Sequence, residues 1–181
     1  MGEATAAGLA GRDVLNLGSG KRYDDRAVNL DVTAATDPDV VHDLEQTPWP
    51  FPDDRFGRVE AIDVIEHLSD PLAAMTEIHR ITRQGGSVHI VLPHFSSANA
   101  YIDLTHRGFF GFESFDYVTG EHFHDFYTDL RFRVQRRTIW FKPGLVNRVA
   151  QRLAARYPER YEQRWAWIFP AWFLDFELEV L

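Results

Sequence analysis

The most restrictive feature of this sequence is a gap of six residues. Val14-Leu15-Asn16-Leu17 and Ala27-Val28-Asn29-Leu30 both have the composition of short buried strands. Only Gly18-Ser19-Gly20 and the six residues Lys21 to Arg26 separate them. Parallel strands covered on both faces read as short, nearly continuous apolar runs. A parallel crossover ordinarily takes a dozen or more residues, usually a helix. If these strands are parallel neighbours, the helix between them is reduced to a turn. Gly18 and Gly20 then give the backbone the freedom to turn sharply and to approach a ligand closely.

Three more runs follow: Pro38 to Leu44, Val59 to Val64, and Ser87 to Leu92 with Pro93 ending it. Asp31, Asp43 and Asp63 stand at or near the ends of the second, third and fourth runs. Open parallel sheets keep their ligands beyond the carboxyl ends of the strands. In nucleoside-binding sheets an acid at the end of the second strand accepts hydrogen bonds from both ribose hydroxyls, and Asp31 stands at that position. The six-residue gap leaves no room for GxGxxG and a following helix whose N-terminus holds a pyrophosphate, so a dinucleotide is disfavoured. Between the fourth and fifth runs, Ser69-Asp70-Pro71 opens a helix by its capping residue and its proline. Leu72, Met75, Ile78 and Ile81 line one face of that helix, and Gly85-Gly86 is expected to stop it.

Taken together, LNLGSG, NLDV and the acid-x-x-acid-His run Asp63-Val64-Ile65-Glu66-His67 resemble class I S-adenosylmethionine (SAM) methyltransferases. The similarity is to the small bacterial and archaeal ones often associated with glycan or natural-product assembly. It covers roughly residues 13 to 118, with a looser match at the C-terminus. It implies an α/β Rossmann-like fold: a seven-stranded, mostly parallel sheet with an antiparallel last strand, flanked by helices. Asn16, Gly18, Ser19, Gly20, Asp31, Val32, Asp43, Leu44, Asp63 and Val64 are then implied as SAM contacts, Asp43 and Leu44 lying at the adenine. Trp49 to Phe56 resembles the family's proline-aromatic stretch, whose rings are expected to pack as a plug beside the adenine.

The same resemblance supplies candidates for chemistry. In some relatives, among them quinone-pathway O-methyltransferases and small-RNA 2′-O-methyltransferases, the acid-x-x-acid-His run holds a divalent metal. In the RNA enzymes a histidine after strand five completes the site. Asp63, Glu66, His67 and His106 are the ligands this implies. Carboxylates, imidazoles and water suit Mg²⁺ or Mn²⁺, two histidines leaning away from pure Mg²⁺. Such a metal chelates a vicinal diol and acidifies the hydroxyl to be methylated. Two other readings stay open. His67 acts alone as general base, or Glu66 and His67 merely close the SAM pocket. His94, His122 and His124, with Asp125 and Tyr127, add polar groups to an expected acceptor lid over residues 95–130.

The C-terminal third changes character. Phe132 to Phe141 reads as strand six. Phe173 to Leu181 alternates strictly, with Phe176, Leu178 and Val180 opposite Asp175, Glu177 and Glu179, as a final antiparallel strand beside it. Between them Leu145, Val149 and Leu153 share one helix face and Arg148, Arg152 and Arg156 the other, and Arg160 and Arg164 extend the basic series after Pro158. Residues 131–164 hold ten Lys or Arg against two acids, in a chain of formal charge −8. Arginines interleaved with Trp165 and Trp167 suit an anionic membrane or an acceptor's phosphates, while a solvated helix or a contact between subunits of a homo-oligomer is the plainer account.

The chain has no cysteine, which excludes a disulfide framework, thiol catalysis and a zinc-thiolate site. Residues 1–12 lack the basic-then-apolar pattern of a signal peptide and are expected to form a flexible arm on a single domain spanning 1–181. The apolar run Trp165 to Leu174 is half a bilayer span and contains Pro170. A cytoplasmic protein is expected, peripheral at the inner membrane surface if the basic stretch meets lipid. The expected activity is methyl transfer from SAM to a hydroxyl of a sugar, glycan or lipid-linked saccharide. Alternatives are a small-molecule O- or N-methyltransferase of natural-product biosynthesis and a non-catalytic SAM-binding module. No Asn/Asp-Pro-Pro-Tyr motif points to DNA or protein amides, and nucleic acid is not an expected partner.

Overall fold

A computed structural model describes residue 9, residues 11–120 and residues 128–181. The expected N-terminal arm lies almost wholly outside the described residues, as do His122, His124, Asp125 and Tyr127 of the expected lid. Seven strands form one sheet: β1 Val14–Leu17, β2 Ala27–Asp31, β3 Val40–Val41, β4 Phe56–Ile62, β5 Thr82–Pro93, β6 Phe132–Trp140 and β7 Phe173–Val180. Their spatial order is β3-β2-β1-β4-β5-β7-β6. The first five pair in parallel. β7 runs antiparallel to both neighbours, as its alternation and C-terminal position lead one to expect. Among the described residues, the α-helices α1 Pro71–Ile81, α2 Asn99–Ile102, α3 Leu145–Arg156 and α4 Pro158–Arg164 accompany the sheet.

The short gap has a structural consequence. Residues 18–26 contain no helix, and a single 3₁₀ turn, Ala34–Thr36, lies between β2 and β3. Two crossovers therefore lack the helices that usually cover one face of a parallel sheet. The sequence compensates by making that face polar. Over β1 and β2, Asn16 Nδ2 donates to Asn29 Oδ1 at 3.0 Å, and Asn29 in turn meets Asp39 Oδ2 at 3.0 Å. Over β4, β5, β7 and β6 the same row becomes a ladder of ion pairs: Arg58 with Glu60 and Glu177, Arg136 with Asp175, Arg133 with Glu179.

The opposite face holds the core. Leu15, Leu30, Val59, Ala61, Val88, Ile90, Leu174, Phe176 and Leu178 are each at most 1% exposed. They pack beneath Met75, Ile78 and Ile81 of α1 and beneath Phe110 and Phe115. α1 starts as expected: Asp70 caps it by accepting from Ala73 N at 2.9 Å, and Pro71 is its first residue. Its end corrects the expectation. The helix stops at Ile81 and the chain enters β5 directly at Thr82, whose hydroxyl donates to Ile78 O at 2.6 Å. Gly85-Gly86 lies inside β5, where the register against β4 jumps from Phe56↔Thr82 to Arg58↔Ser87. Gly85 has φ +76 there, a conformation that marks a bulge rather than a helix stop.

Candidate active site

A cleft of about 300 Å³ opens at the carboxyl ends of β1 to β4. Gly18, Asp31, Val32, Asp43, Leu44, Asp63, Val64 and His67 all line it, together with Glu45 and Leu68. Three other anticipated cofactor residues build the cleft from behind. Asn16 is spent on Asn29 and on Arg22 O. Ser19 is buried, its N–H donating to Leu30 O at 3.0 Å. Gly20 gives its N–H to Asp31 Oδ2 at 2.8 Å. Glu45 carries no signal in the sequence. It reaches the cleft by accepting from Ser69 N at 2.9 Å and pairing with Arg107 at 3.3 Å.

The turn after β1 is dictated by its glycines. Gly18 sits at φ +56, and a Cβ there would lie 2.6 Å from Val64 Cγ2. No other residue fits without displacing the wall of the cleft. Asp31 is fixed by two backbone donors, Gly20 N at 2.8 Å and Thr33 N at 3.0 Å. A carboxylate has about four acceptor positions, so lone pairs remain for the hydroxyls of a bound nucleoside. Val32, next in the chain, is 65% exposed. An apolar side chain left open beside a fixed carboxylate suits a planar, partly apolar ligand. Trp49 supports this wall from inside: its indole N–H donates to Leu44 O at 3.1 Å, and its backbone N–H donates to buried Glu77 at 2.6 Å. The proline-aromatic stretch is thus a brace between the cleft and α1.

Beyond β4 the chain makes a 3₁₀ turn, Ile65–His67, which presents Glu66 and His67. The loop after β5 is tied to it, because Arg107 N and Gly108 N both donate to Glu66 O, at 2.7 and 3.0 Å. This brings His106 against the turn, its ring centroid 4.6 Å from that of His67. Donor atoms of Glu66, His67 and His106 lie within 4.8 Å of one another. Asp63, the fourth anticipated metal ligand, is held out of this group. It sits at φ 55 and accepts from Arg22 at 2.9 Å, while the same guanidinium also meets Ile62 O. Arg22 belongs to the shortened crossover, so its reach to β4 is invisible in local sequence.

Hydrogen-bond accounting assigns the imidazole tautomers. Thr105 has one hydroxyl proton, and it goes to Asp103 Oδ1 at 2.7 Å. Bonds from the Thr105 side chain and backbone hold Asp103 below the usual carboxylate range, so Asp103 is an acceptor. Thr105 Oγ1 must then accept from His67 Nδ1, 2.8 Å away. His67 Nε2 is left with a lone pair. His106 Nδ1 lies 3.2 Å from Ala100 O, and a carbonyl only accepts, so the neutral ring's Nε2 again carries the lone pair. Burial, followed by the nearby His106, holds the His67 imidazole below its ordinary value, keeping it neutral. Glu66 is 1% exposed, and neither carboxylate oxygen has a hydrogen-bond partner among the described residues. Burial, reinforced by Asp63, pushes its carboxyl up to about 7. An unpartnered buried carboxylate is costly. Its placement beside His67 and His106 makes the cluster a candidate for chemistry. His94, by contrast, is buried and fully used, with Ser96 at one nitrogen and Glu162 at the other.

A methyltransferase-domain family model matches residues 19–90. That match spans the first part of the sheet, from the turn after β1 into β5. The chain has the fold shared by SAM-dependent methyltransferases of known structure. Over 39 residues it is 49% identical to an uncharacterised methyltransferase of Schizosaccharomyces pombe; that stretch is 22% of this chain and 14% of that protein's length. Among solved structures, it resembles a SAM-dependent methyltransferase from Archaeoglobus fulgidus with TM-score 0.63 at 18% identity, covering 92% of this chain and 85% of that one. It also resembles a chain of the complex between the Haloferax volcanii Trm112 methyltransferase activator and a methyltransferase. There the TM-score is 0.58 at 19% identity, with 94% and 82% covered.

Proposed function

We propose that this protein moves a methyl group from SAM to a hydroxyl of a sugar, glycan or lipid-linked saccharide. The observation that carries the reading is the cluster at the cleft's edge: a buried Glu66 whose carboxylate accepts no hydrogen bond among the described residues, beside His67 and beside His106, whose Nε2 lies 4.0 Å from it. The cleft suits SAM. Asp31 offers lone pairs to the ribose hydroxyls, Val32, Leu44, Val64 and Leu68 offer an apolar wall to the adenine, and the Gly18 turn leaves room a Cβ would fill. When bound, SAM supplies an electrophilic methyl group on a sulfonium. Such a reaction asks the protein chiefly to align the acceptor oxygen and take its proton. His67 Nε2 accepts that proton, Thr105 and Asp103 hold the ring's other nitrogen, and Glu66 stabilises the imidazolium that forms.

Glu66, His67 and His106 also fit a divalent cation, since a carboxylate and two neutral imidazoles are a suitable donor set for Mn²⁺, less so for Mg²⁺. When bound, such an ion supplies Lewis acidity to a coordinated hydroxyl. The saccharide acceptor is supported by the fit of this cluster to a vicinal diol and by Tyr101 and Phe109. These two rings stack at 4.9 Å yet stay about half exposed, on the segment that carries His106. Residues 95–130 would then be the acceptor side of the site. The same rings suit a planar small-molecule acceptor, which makes natural-product O- or N-methylation the second reading.

The test is transfer of a labelled methyl from SAM to a panel of glycosides with and without vicinal diols, alongside phenols and amines. Transfer to diol sugars that disappears in His67→Ala, with SAM binding retained, is the expected result. Transfer confined to amines or phenols, or undiminished in His67→Ala, overturns the proposal.

A further inference from the structure

The segment between β6 and β7 is not used by the site just described, and its surface is unusual. α3 turns its small residues, Ala150 and Ala154, towards the protein and leaves its large apolar ones outside. Leu145 is 80% exposed, Val146 62%, Val149 57% and Leu153 55%. Beyond α4 the same is true of Trp165, Trp167 and Ile168, at 49%, 68% and 61%. Between the two helices, Leu153, Tyr157, Trp165 and Phe169 line a groove of about 210 Å³.

Arginines rim this apolar surface. Arg148, Arg152, Arg156, Arg160 and Arg164 are all exposed. Elsewhere in the same basic third, Arg133, Arg136 and Arg137 each have an acid partner. None of the five has one among the described residues; Arg156 and Arg160 instead lie over the Tyr157 ring at 4.8 and 5.5 Å. Like charges at i, i+4 oppose a helix, so Arg148, Arg152 and Arg156 cost stability that nothing described within the chain returns. An amphipathic helix with exposed aliphatic and tryptophan side chains edged by arginine is the pattern of a helix that lies in a bilayer interface.

Topology aims this surface. β6 ends at Trp140 and β7 begins at Phe173, its register partner, and Phe173 also pairs with Pro93 at the end of β5. Residues 141–172 therefore stand at the carboxyl edge of the sheet, the edge that carries Asp31 and Asp63. They are bonded to the start of the acceptor segment: His94 to Glu162 at 3.0 Å, Ala171 N to Ser96 Oγ at 3.1 Å, and the Phe95 ring to Trp167 at 5.5 Å.

We infer that α3, α4 and the tryptophan segment after them dock on an anionic lipid bilayer, with the mouth of the cleft beside the headgroups. A second copy of the chain fits poorly, since it would set five unpaired arginines against five more. A nucleic acid would use the arginines but leave the aliphatic face in water. No described helix is long and apolar enough to cross a membrane, so the contact is interfacial. Docking is read without turnover and stands or falls apart from the methyl-transfer reading.

The experiment is co-sedimentation of the full chain with vesicles of phosphatidylcholine alone or mixed with phosphatidylglycerol, from about 0.05 to about 0.5 M salt, a range over which the Debye length falls severalfold. The expected result is binding to the mixed vesicles that weakens with salt and shifts tryptophan emission to the blue. Arg148→Gln, Arg152→Gln and Arg156→Gln together should lower affinity on the order of a hundredfold, about fivefold for each charge near an anionic surface. Val149→Ser with Leu153→Ser should abolish the emission shift. Circular dichroism and SAM titration show that each variant is folded. Absent binding, equal binding to phosphatidylcholine alone, unchanged affinity of the triple variant, binding to polyuridylate but not to vesicles, or a dimer that buries Trp165 and Trp167 would each overturn the inference.

Discussion

Replacing Glu66 by Gln should stabilise this protein in alkaline solution and do little in acid. Burial raises the Glu66 carboxyl from its ordinary 4.5 to about 7. Below the lower value the group is protonated in folded and unfolded chains alike and contributes no pH dependence. Between the two, the unfolded chain ionises first, so stability falls as pH rises. Above about 7 the folded state carries a buried carboxylate that neither oxygen's surroundings satisfy, and the full penalty is present. The interval corresponds to about 3 kcal/mol. Gln keeps the shape and cannot ionise. At pH 8, in chelator, Glu66→Gln should therefore raise Tm by about 6–12 °C, taking about 2–4 °C per kcal/mol for a domain of this size. At pH 4 the two melting curves should coincide. Differential scanning calorimetry of both proteins across this range is the assay. A Gln variant less stable than the parent at pH 8, or a difference that does not change with pH, would refute the assignment of Glu66 as an uncompensated buried acid.

Gly18→Ala forces a Cβ to within 2.6 Å of Val64 at φ +56; it should cost about 2 kcal/mol in denaturant unfolding and weaken SAM binding. Phe176→Ala empties a site 1% exposed, where Phe115 meets the ring edge-on at 4.8 Å, and should cost about 3–5 kcal/mol. If His67 takes the acceptor proton, kcat/KM should fall in acid along a limb whose midpoint lies below the ordinary imidazole value of 6.5, because only the neutral ring accepts. Thr105→Val should move that limb and lower kcat while leaving SAM affinity unchanged, since Thr105 touches only the far nitrogen of the ring.

Much of this architecture is legible because its signals are local. β1, β2 and β7 announce themselves by buried runs or strict alternation, and α1 by Asp70-Pro71 and an apolar face. Asp31, Asp43 and Asp63, which line the cleft, are legible because each stands at or near a strand end; Glu45 is not. What escapes is tertiary. Gly85-Gly86 reads as a helix stop, but Thr82 reaching back to Ile78 ends the helix sooner and the glycines serve a bulge. Asp63 and Glu66 look equivalent in Asp63-Val64-Ile65-Glu66-His67. The structure separates them: Arg22, distant in sequence, pairs with Asp63, while no described group hydrogen-bonds the Glu66 carboxylate and His106 Nε2 approaches it only to 4.0 Å. Thr105 and Asp103 lie beside His106 in the chain, yet they orient His67. The polar face of the sheet follows from two missing crossover helices, and its asparagines and ion pairs make sense only once strand order is known.

The most direct measurement is calorimetric titration of the full chain with SAM and with S-adenosylhomocysteine, beside Asp31→Ala. Asp31 lines the cleft with its carboxylate fixed by Gly20 and Thr33. On the proposed reading its remaining lone pairs anchor the ribose. Charge-assisted hydrogen bonds are worth about 1.5–3 kcal/mol each. Two of them predict binding of both nucleosides by the parent protein, weakened on the order of a hundredfold or more in a folded Asp31→Ala variant. A parent protein that binds neither nucleoside, or an Asp31→Ala variant that binds as well as the parent, would contradict the account at its root.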